Sequence, residues 1–219
     1  MTTWLLIPCT GSRAAELRDT IKLSGVAANR VVIVTTRPDT LRVADLEGLA
    51  ATLLIFDRPG MLFGEWMNLG LGWIAALAGD DPYEVACLSS DVQGCDGFAL
   101  ASMRTELRER GLGMVGPDLH GRVAAGDVLV NYGGGRRDVF NRVPGPCFMV
   151  AGELGIRFDP QFRWWYSDCD FEAQHLAHGV GLIGGLGISH ADNPPSEQSQ
   201  AHAVVDRQRY VDKWGWQPW

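Results

Sequence analysis

Short apolar runs alternate with longer amphipathic segments along the first half of the chain. Four apolar runs predict buried strands, at Trp4–Ile7, Val31–Val34, Leu53–Phe56 and Glu84–Leu88. Segments with helical periodicity separate them, at Ala14–Leu23, Phe63–Leu77 and Phe98–Arg110. Strands that are apolar at consecutive positions are typical of a parallel sheet covered on both faces. The pattern therefore predicts an α/β architecture with a mostly parallel central sheet and helices on both sides.

The second half of the chain is less regular. Residues 118–146 are rich in Gly, Arg and Pro and predict a long irregular or hairpin excursion. Regular structure is predicted on either side of it, as strands at Met114–Val115 and Phe148–Val150, a helix at Asp168–His178, strand-like residues up to His190 and a polar helix at Gln198–Trp214. No composition break or interdomain linker divides the chain, so we expect a single domain covering residues 1–219.

The composition narrows the classes of function. The chain has 219 residues, of which 46% are hydrophobic and 21% charged, as in ordinary globular proteins. A formal net charge of −7 argues against a nucleic-acid-binding surface, which would carry a basic excess. Five cysteines without a Cys-x-x-Cys pair predict reduced thiols in a cytoplasmic protein. No apolar run is long enough to span a bilayer, so we expect no membrane span.

The acids Asp168 and Asp170 follow an aromatic pair, Trp164–Trp165, at the predicted start of a helix. Backbone N–H groups and the helix dipole favour negative charge at such a position, and a carboxylate there can act as a general base. The alternative is an N-cap aspartate with a solvated neighbour. For the tryptophans, a platform for the apolar face of a sugar competes with a packed aromatic pair.

A second acidic position, Asp91, follows the fourth predicted strand in the sequence Ser89–Ser90–Asp91. Loops at the carboxyl ends of strands are the expected ligand site of an open α/β sheet. An aspartate in an ordinary turn is the alternative. His190 ends the strand-like segment that follows the Asp168 helix and is a candidate partner of these acids.

Other motifs carry less weight. Gly179–Gly184 matches G-x-G-x-x-G, but a helix precedes it and strand-like residues follow, so Gly179 is better explained as a helix C-cap. His175 and His178 have helical metal-ligand spacing without a third ligand nearby, which favours two surface histidines. The glycine run 133–135 lacks the ending of a phosphate loop.

Nine segments of the chain resemble short sequence patterns that occur together in one family of proteins. The opening strand and turn at 6–13 resembles V-I-P-T-Y-N-R, Asn68–Gly70 resembles N-x-G, Leu88–Val92 resembles L-N-N-D-V, and Val115–Pro117 resembles V-G-P. Farther along, Gly145–Val150, Phe158–Phe162, Tyr166–Phe171, His190–Ser196 and Lys213–Gly215 resemble G-x-x-M-L, F-D-E-x-F, Y-x-E-D-x-D-L, H-x-x-x-x-S and K-W-G. Taken in order, these segments resemble GT-A-fold glycosyltransferases of the large family-2 type, including its rhamnosyltransferase-like branch.

The resemblance implies a metal-dependent, inverting transfer of a hexosyl or deoxyhexosyl group from a nucleoside-diphosphate sugar to an acceptor hydroxyl. It implies a nucleotide-binding half (1–117), an acceptor and catalytic half (118–219) and a small C-terminal antiparallel portion. Asp91 and His190 would hold Mn²⁺ or Mg²⁺, and Trp164 and Trp165 would bind the acceptor. Asp168 would act as the catalytic base, and Asp170 would position Asp168 or the acceptor. The implied nucleotide-sugar contacts are Pro8, Thr10, Arg13, Thr36, Asp39, Asn68, Ser89, Ser90 and Asp91.

Two departures from the family pattern keep other functions open. Thr35 and Thr36 replace acids usual after the second strand, and Ser89 and Ser90 leave Asp91 as the one acid of its motif. A sugar nucleotidyltransferase is one alternative, although the residues after Arg13 lack its Pro-Lys pair. A non-catalytic sugar-nucleotide or carbohydrate-binding module is another. The acceptor can be a glycan, a lipid-linked sugar or a protein side chain.

Overall fold

A computed structural model describes residues 2–9, 14–35, 41, 46–49, 52–56, 63–132, 143, 145–190 and 197–216. The strands are β1 (Thr2–Cys9), β2 (Val31–Thr35), β3 (Thr52–Ile55), β4 (Tyr83–Leu88), β5 (Val92–Gln93), β6 (Met114–Pro117), β7 (Val128–Asn131), β8 (Cys147–Ala151), β9 (Val180–Ile183) and β10 (Ser189–His190). The helices are α1 (Ala14–Ser24), α2 (Phe63–Ala78), α3 (Gly97–Glu109), α4 (Ser167–His175) and α5 (Glu197–Trp214). The strands and helices predicted from the pattern are confirmed, with ends that shift by only a few residues.

Eight strands form one sheet in the order β3-β2-β1-β4-β8-β6-β9-β7. The first four run parallel to one another. Strand β8 is antiparallel to both of its neighbours, and β7 is antiparallel to β9. The predicted α/β fold with a mostly parallel central sheet is therefore confirmed. Strands β5 and β10 form a separate antiparallel pair in which Val92 lies opposite His190.

Both faces of the sheet are covered by helices, as the apolar strands predict. Along β1, Leu5 and Ile7 belong to an apolar cluster that includes side chains of α1 and α3. Leu6 points to the other face and packs in a cluster with side chains of α2 and α4. A Cβ atom at Gly70 of α2 would overlap the Leu6 side chain, so this glycine lets α2 lie close to β1. Burial on both faces explains why the strands are apolar at consecutive positions.

The predicted excursion after β6 contains a strand that the pattern does not reveal. Val128–Asn131 forms β7 at the edge of the sheet, with Leu129 opposite Leu182. Its side chains are only partly buried, which explains the weak apolar signal. Residues 133–142, including the glycine run and the arginines at 136 and 137, lie outside the described residues.

Gly179 ends a helical segment, as predicted, and does not belong to a dinucleotide fingerprint. It follows the 3₁₀ turn Leu176–His178 and has a φ of +82°, a conformation that favours glycine. Strand β9, with no helix, comes directly after it. Within the described residues, no helix combines the length and apolar character that a bilayer crossing requires.

Candidate active site

Asp91 and His190 meet beyond the carboxyl end of β4. Asp91 lies in the turn between β4 and β5, and the pairing of β5 with β10 brings His190 to the same place. Asp91 Oδ1 lies 3.2 Å from His190 Nε2, and the two side chains are 11% and 23% exposed. Ser89 Oγ donates a hydrogen bond of 2.6 Å to the same Asp91 oxygen. A carboxylate and an imidazole that remain partly accessible form a usable pair of metal ligands.

Asp168 is connected to this pair through the turn before β8. The Ser89 N–H donates to the Pro146 carbonyl over 2.7 Å, which joins the Asp91 turn to residues 145 and 146. On the other side of that turn, a Cβ atom at Gly145 would lie 2.5 Å from Asp168 Oδ2. A side chain at 145 would therefore force the Asp168 carboxylate to move. The contacts bring Asp91, His190 and Asp168, which are remote in the sequence, to one region.

Asp168 lies in the first turn of α4, as the sequence predicts, and is partly exposed. Its Oδ1 accepts a hydrogen bond of 2.9 Å from the Cys169 N–H. Tyr166, directly before α4, is the one non-glycine residue with positive φ among those described, at +63°. Such a conformation is costly for a tyrosine and persists only when its surroundings hold it. Backbone strain therefore lies two residues from the candidate base.

The partners of Asp170, which is predicted to position Asp168 or the acceptor, are side chains of the protein itself. The Asp170 side chain is fully buried. Oδ1 accepts hydrogen bonds from Trp214 Nε1 and Lys213 Nζ, each 2.8 Å long, and Oδ2 accepts one of 2.8 Å from Gln174 Nε2. Both oxygens are thus occupied by groups of the chain itself, because helix α5 covers this face of α4. This burial agrees with a residue that positions Asp168, and that role stays a prediction.

Asn68, which is predicted to contact the nucleotide sugar, binds the protein backbone in this structure. Its side chain forms two hydrogen bonds with the backbone of Phe158: Oδ1 accepts from the N–H over 2.9 Å and Nδ2 donates to the carbonyl over 2.8 Å. The amide therefore connects α2 to the segment that leads to Asp168. With Gly70 packed on β1, this contact gives the N-x-G sequence a structural explanation.

Trp164 and Trp165 are both partly buried, so each presents only part of its ring. The Trp164 ring meets that of Phe63 edge-on at a centroid distance of 5.6 Å. Trp165 packs against the cluster of Phe162, Tyr166 and Tyr210. The two tryptophans contribute to packing, and their remaining surface lies on the same segment as Asp168.

The other predicted nucleotide contacts are divided between described and undescribed parts of the chain. Pro8 lies near the carboxyl end of β1 opposite Val34, and Ser90 lies in the Asp91 turn with its side chain 7% exposed. Thr10, Arg13, Thr36 and Asp39 lie outside the described residues, so their predicted roles stay predictions.

The sequence pattern did not reveal the residues of α5 that hold the candidate site. Asp206, Tyr210, Lys213 and Trp214 are spaced at i, i+4, i+7 and i+8, the positions of one helical face. This spacing is the one signal in the sequence that could have indicated a buried helical face. The signal is weak because two of the four residues are charged. Partial burial disfavours the charged form of Lys213, but the Asp159 and Asp170 carboxylates outweigh it and raise the pKa of Lys213.

Solved structures with the same fold include sugar-transferring enzymes. Glucosyl-3-phosphoglycerate synthase from Mycobacterium tuberculosis, in complex with Mn²⁺, UDP-glucose and phosphoglyceric acid, superposes with a TM-score of 0.64 at 16% identity, over 98% of this chain and 80% of the other. Its complex with Mg²⁺ and UDP gives 0.64 at 17% identity, over 98% and 79% of the two chains. A mannosyltransferase from Pyrobaculum calidifontis, in complex with GDP-Man and Mn²⁺, gives 0.56 at 12% identity, over 96% and 64%.

The similarity at this level of identity concerns the fold, which is GT-A-like. No family model and no curated protein sequence matches the chain.

Proposed function

We propose that this protein is a metal-dependent, inverting glycosyltransferase that moves a sugar from a nucleoside-diphosphate sugar to an acceptor hydroxyl of a glycan, lipid-linked sugar or protein. The observation that carries the proposal is the meeting of Asp91 and His190, 3.2 Å apart, beside the turn that touches Asp168. These residues lie beyond the carboxyl end of β4, where open α/β sheets bind ligands. The fold is shared with enzymes solved with UDP-glucose or GDP-Man.

Asp91 and His190 are suited to hold Mn²⁺ or Mg²⁺. They offer one carboxylate and one imidazole, a combination compatible with Mn²⁺, while Mg²⁺ relies more on oxygen ligands. The described residues contain no group of three or more His, Cys, Asp or Glu side chains arranged for a metal. In the bound state, substrate phosphate oxygens and water would complete the coordination, as they commonly do for such cations. When bound, the cation would neutralise the charge that develops on the leaving diphosphate.

Asp168 would take the proton of the acceptor hydroxyl as that oxygen attacks the anomeric carbon. Its Oδ1 is oriented by the Cys169 N–H, and its Oδ2 faces the space that Gly145 leaves free. Attack from the side opposite the diphosphate inverts the anomeric configuration. The partly exposed rings of Trp164 and Trp165 would pack against the acceptor sugar.

A panel of nucleotide sugars, beginning with UDP-glucose and GDP-mannose, tests this function. In the presence of Mn²⁺, a bound donor should raise the melting temperature. The enzyme should release the nucleoside diphosphate when an acceptor is added, or by hydrolysis of the donor when no acceptor is present. Pyrophosphate release from a nucleoside triphosphate would instead identify a nucleotidyltransferase. Donor binding without turnover would identify a binding module. The absence of both donor binding and turnover across the whole panel would refute the proposal.

A further inference from the structure

One face of helix α5 contacts the segment that carries the candidate acceptor residues and base. Four residues form this face, here called the C-terminal clamp: Asp206, Tyr210, Lys213 and Trp214. Asp206 is fully buried and accepts hydrogen bonds from the N–H groups of Arg163 and Trp164, 3.1 and 3.0 Å long. These bonds fix the backbone at Trp164, the first of the two partly exposed tryptophans.

The C-terminal clamp also holds the chain on both sides of Asp168. Two residues before it, the Tyr166 ring packs 5.8 Å from that of Tyr210, which is fully buried. Two residues after it, the Asp170 carboxylate binds Lys213 and Trp214. The Asp170 N–H donates to the Tyr166 carbonyl over 2.8 Å and closes the turn between them. Asp168 therefore lies at the centre of a turn whose two ends are held by α5.

Lys213 is the charged member of this arrangement. Its Nζ lies 2.8 Å from Asp170 Oδ1 and 2.6 Å from Asp159 Oδ2. Because the Asp170 side chain is fully buried, its negative charge requires a compensating partner inside the protein. Trp214 and Gln174 supply hydrogen bonds without charge. The ammonium of Lys213 supplies that charge and at the same time joins α4 to the loop at Asp159.

We propose that Lys213 is a positioning residue that acts through Asp170 to fix the first turn of α4, so that Asp168 faces the acceptor hydroxyl. This inference rests on the proposed function and deepens it. It predicts that the final helix sets the rate of proton removal without contributing to donor affinity. Donor affinity would depend on Asp91, which contacts Ser89 and His190 beyond the carboxyl end of β4.

The test compares two variants of Lys213. Lys213→Met removes the positive charge but keeps a side chain of similar length, and Lys213→Arg retains the positive charge. The chain has one other lysine, Lys22, which is exposed on α1, and Lys22→Met is the matched control. Displacement of a catalytic group by ~1 Å through a remote change can lower turnover by about 10²-fold. We expect Lys213→Met to lower kcat by roughly 10–100-fold. The Kd of the donor, measured by calorimetry in the presence of Mn²⁺, should not change. Lys213→Arg should recover most of the loss.

Assays run well below the melting temperature of each variant separate positioning from a merely structural role. If Lys213 has a merely structural role, Lys213→Met lowers the melting temperature but leaves the kcat of the folded enzyme unchanged. In that case kcat is the same in Lys213→Met and Lys213→Arg. Wild-type kcat in Lys213→Met, or a loss of donor affinity equal to the loss of kcat, would overturn the proposal.

Failure of the proposed function gives a different result. If the wild-type protein turns over no donor, hydrogen–deuterium exchange at residues 166–171 still reports whether Lys213 fixes this turn. Faster exchange there in Lys213→Met, but not in Lys213→Arg or Lys22→Met, would support the fixed turn. Equal exchange in all variants would overturn the role of Lys213 independently of activity.

Discussion

The two ends of strand β4 carry carboxylates in opposite circumstances. Glu84, near the amino end, is fully buried; it accepts hydrogen bonds from Arg108 Nε over 2.8 Å and from Thr3 Oγ1 over 3.2 Å. Asp91, beyond the carboxyl end, is partly exposed and faces His190 from a distant segment. A buried carboxylate with charged and polar partners stabilises the fold. A partly exposed carboxylate such as Asp91 can exchange its contacts with His190 and Ser89 for contacts with a ligand.

The same difference separates Asp168 from Asp170, although only one residue lies between them. Asp170 is buried beneath α5 with both oxygens bonded, whereas Asp168 is partly exposed beside Gly145. Carboxylates of this protein are therefore distinguished by burial and partners, not by residue type or position in the sequence. The experiments below test this division, from the largest expected effect to the smallest.

Removal of the negative charge at Asp168 should abolish most activity and preserve the fold. A general base contributes about 10²–10⁴-fold to rate, so we expect Asp168→Asn to lose transfer by roughly that factor while donor binding and melting temperature stay unchanged. Asp19→Asn, on the exposed side of α1, is the matched control. Near-wild-type turnover of Asp168→Asn would rule out the base.

Loss of Arg108, which binds Glu84 near the amino end of β4, should lower the stability of the fold and leave turnover unchanged. Arg108 also binds Glu153 and the Tyr83 carbonyl, so its removal leaves the buried Glu84 without its charged partner. Uncompensated buried charges cost about 3–5 kcal/mol, and we expect a loss of about 3 kcal/mol in Arg108→Met, measured by urea unfolding. Turnover of the folded protein should not change. Arg104→Met, exposed on the same helix, should have little effect; equal losses in both variants would contradict the prediction.

Asp91→Ala should remove the metal dependence of donor binding. A carboxylate ligand is lost while the turn keeps its bond from Ser89 N–H to Pro146. Loss of an outer-shell partner alone typically costs about 10–100-fold in metal affinity, so removal of the proposed ligand itself should lower donor affinity with Mn²⁺ to the affinity measured without metal. Calorimetry with and without Mn²⁺ measures the effect, with Asp80→Asn, exposed after α2, as control. Unchanged affinity with Mn²⁺ present would refute the role of Asp91.

The prediction of a surface histidine at 175 is wrong, because His175 is buried at the end of α4, and acid should destabilise the fold through this residue. Burial lowers its pKa from 6.5 to about 4; the Phe171 carbonyl, 2.7 Å from Nδ1, opposes this shift and nearby His178 adds to it. Between these two values the unfolded chain binds a proton that the folded protein does not. Stability therefore rises with pH across this window and falls as the pH drops through it.

The contribution of His175 is at most about 3 kcal/mol, at ~1.4 kcal/mol per pKa unit. In denaturant unfolding at several pH values, His175→Gln should flatten the dependence on pH in this window. His178→Gln, at an exposed position, should retain it. A steep dependence that persists in His175→Gln would show that other groups cause it.

The fold was largely predictable because its signals are local. Apolar strands such as Val31–Thr35 and amphipathic helices such as α3 carry the periodicity of their own secondary structure. Strand β7 was missed because an edge strand with partly exposed side chains lacks the continuous apolar run. The position of Asp168 at a helix start and of Asp91 after a strand followed from the same local patterns.

The candidate site was predictable as a set of residue types but not as a set of contacts. The two-residue strands β5 and β10 carry almost no periodic signal, yet their register brings His190 to Asp91. Nothing in the sequence around Asn68 indicates that its amide binds the Phe158 backbone, because those residues are far apart along the chain. Both contacts depend on how separate elements pack.

The sequence by itself determined the order of strands and helices, the sheet type and the acids available for chemistry, since each is encoded within a few neighbouring residues. Only the tertiary structure decided which acids remain accessible. Asp168 and Asp170 have the same side chain in the same helical turn, and the packing of α5 buries one of them. Burial and hydrogen-bond partners are properties of distant segments brought together, so neighbouring residues cannot specify them.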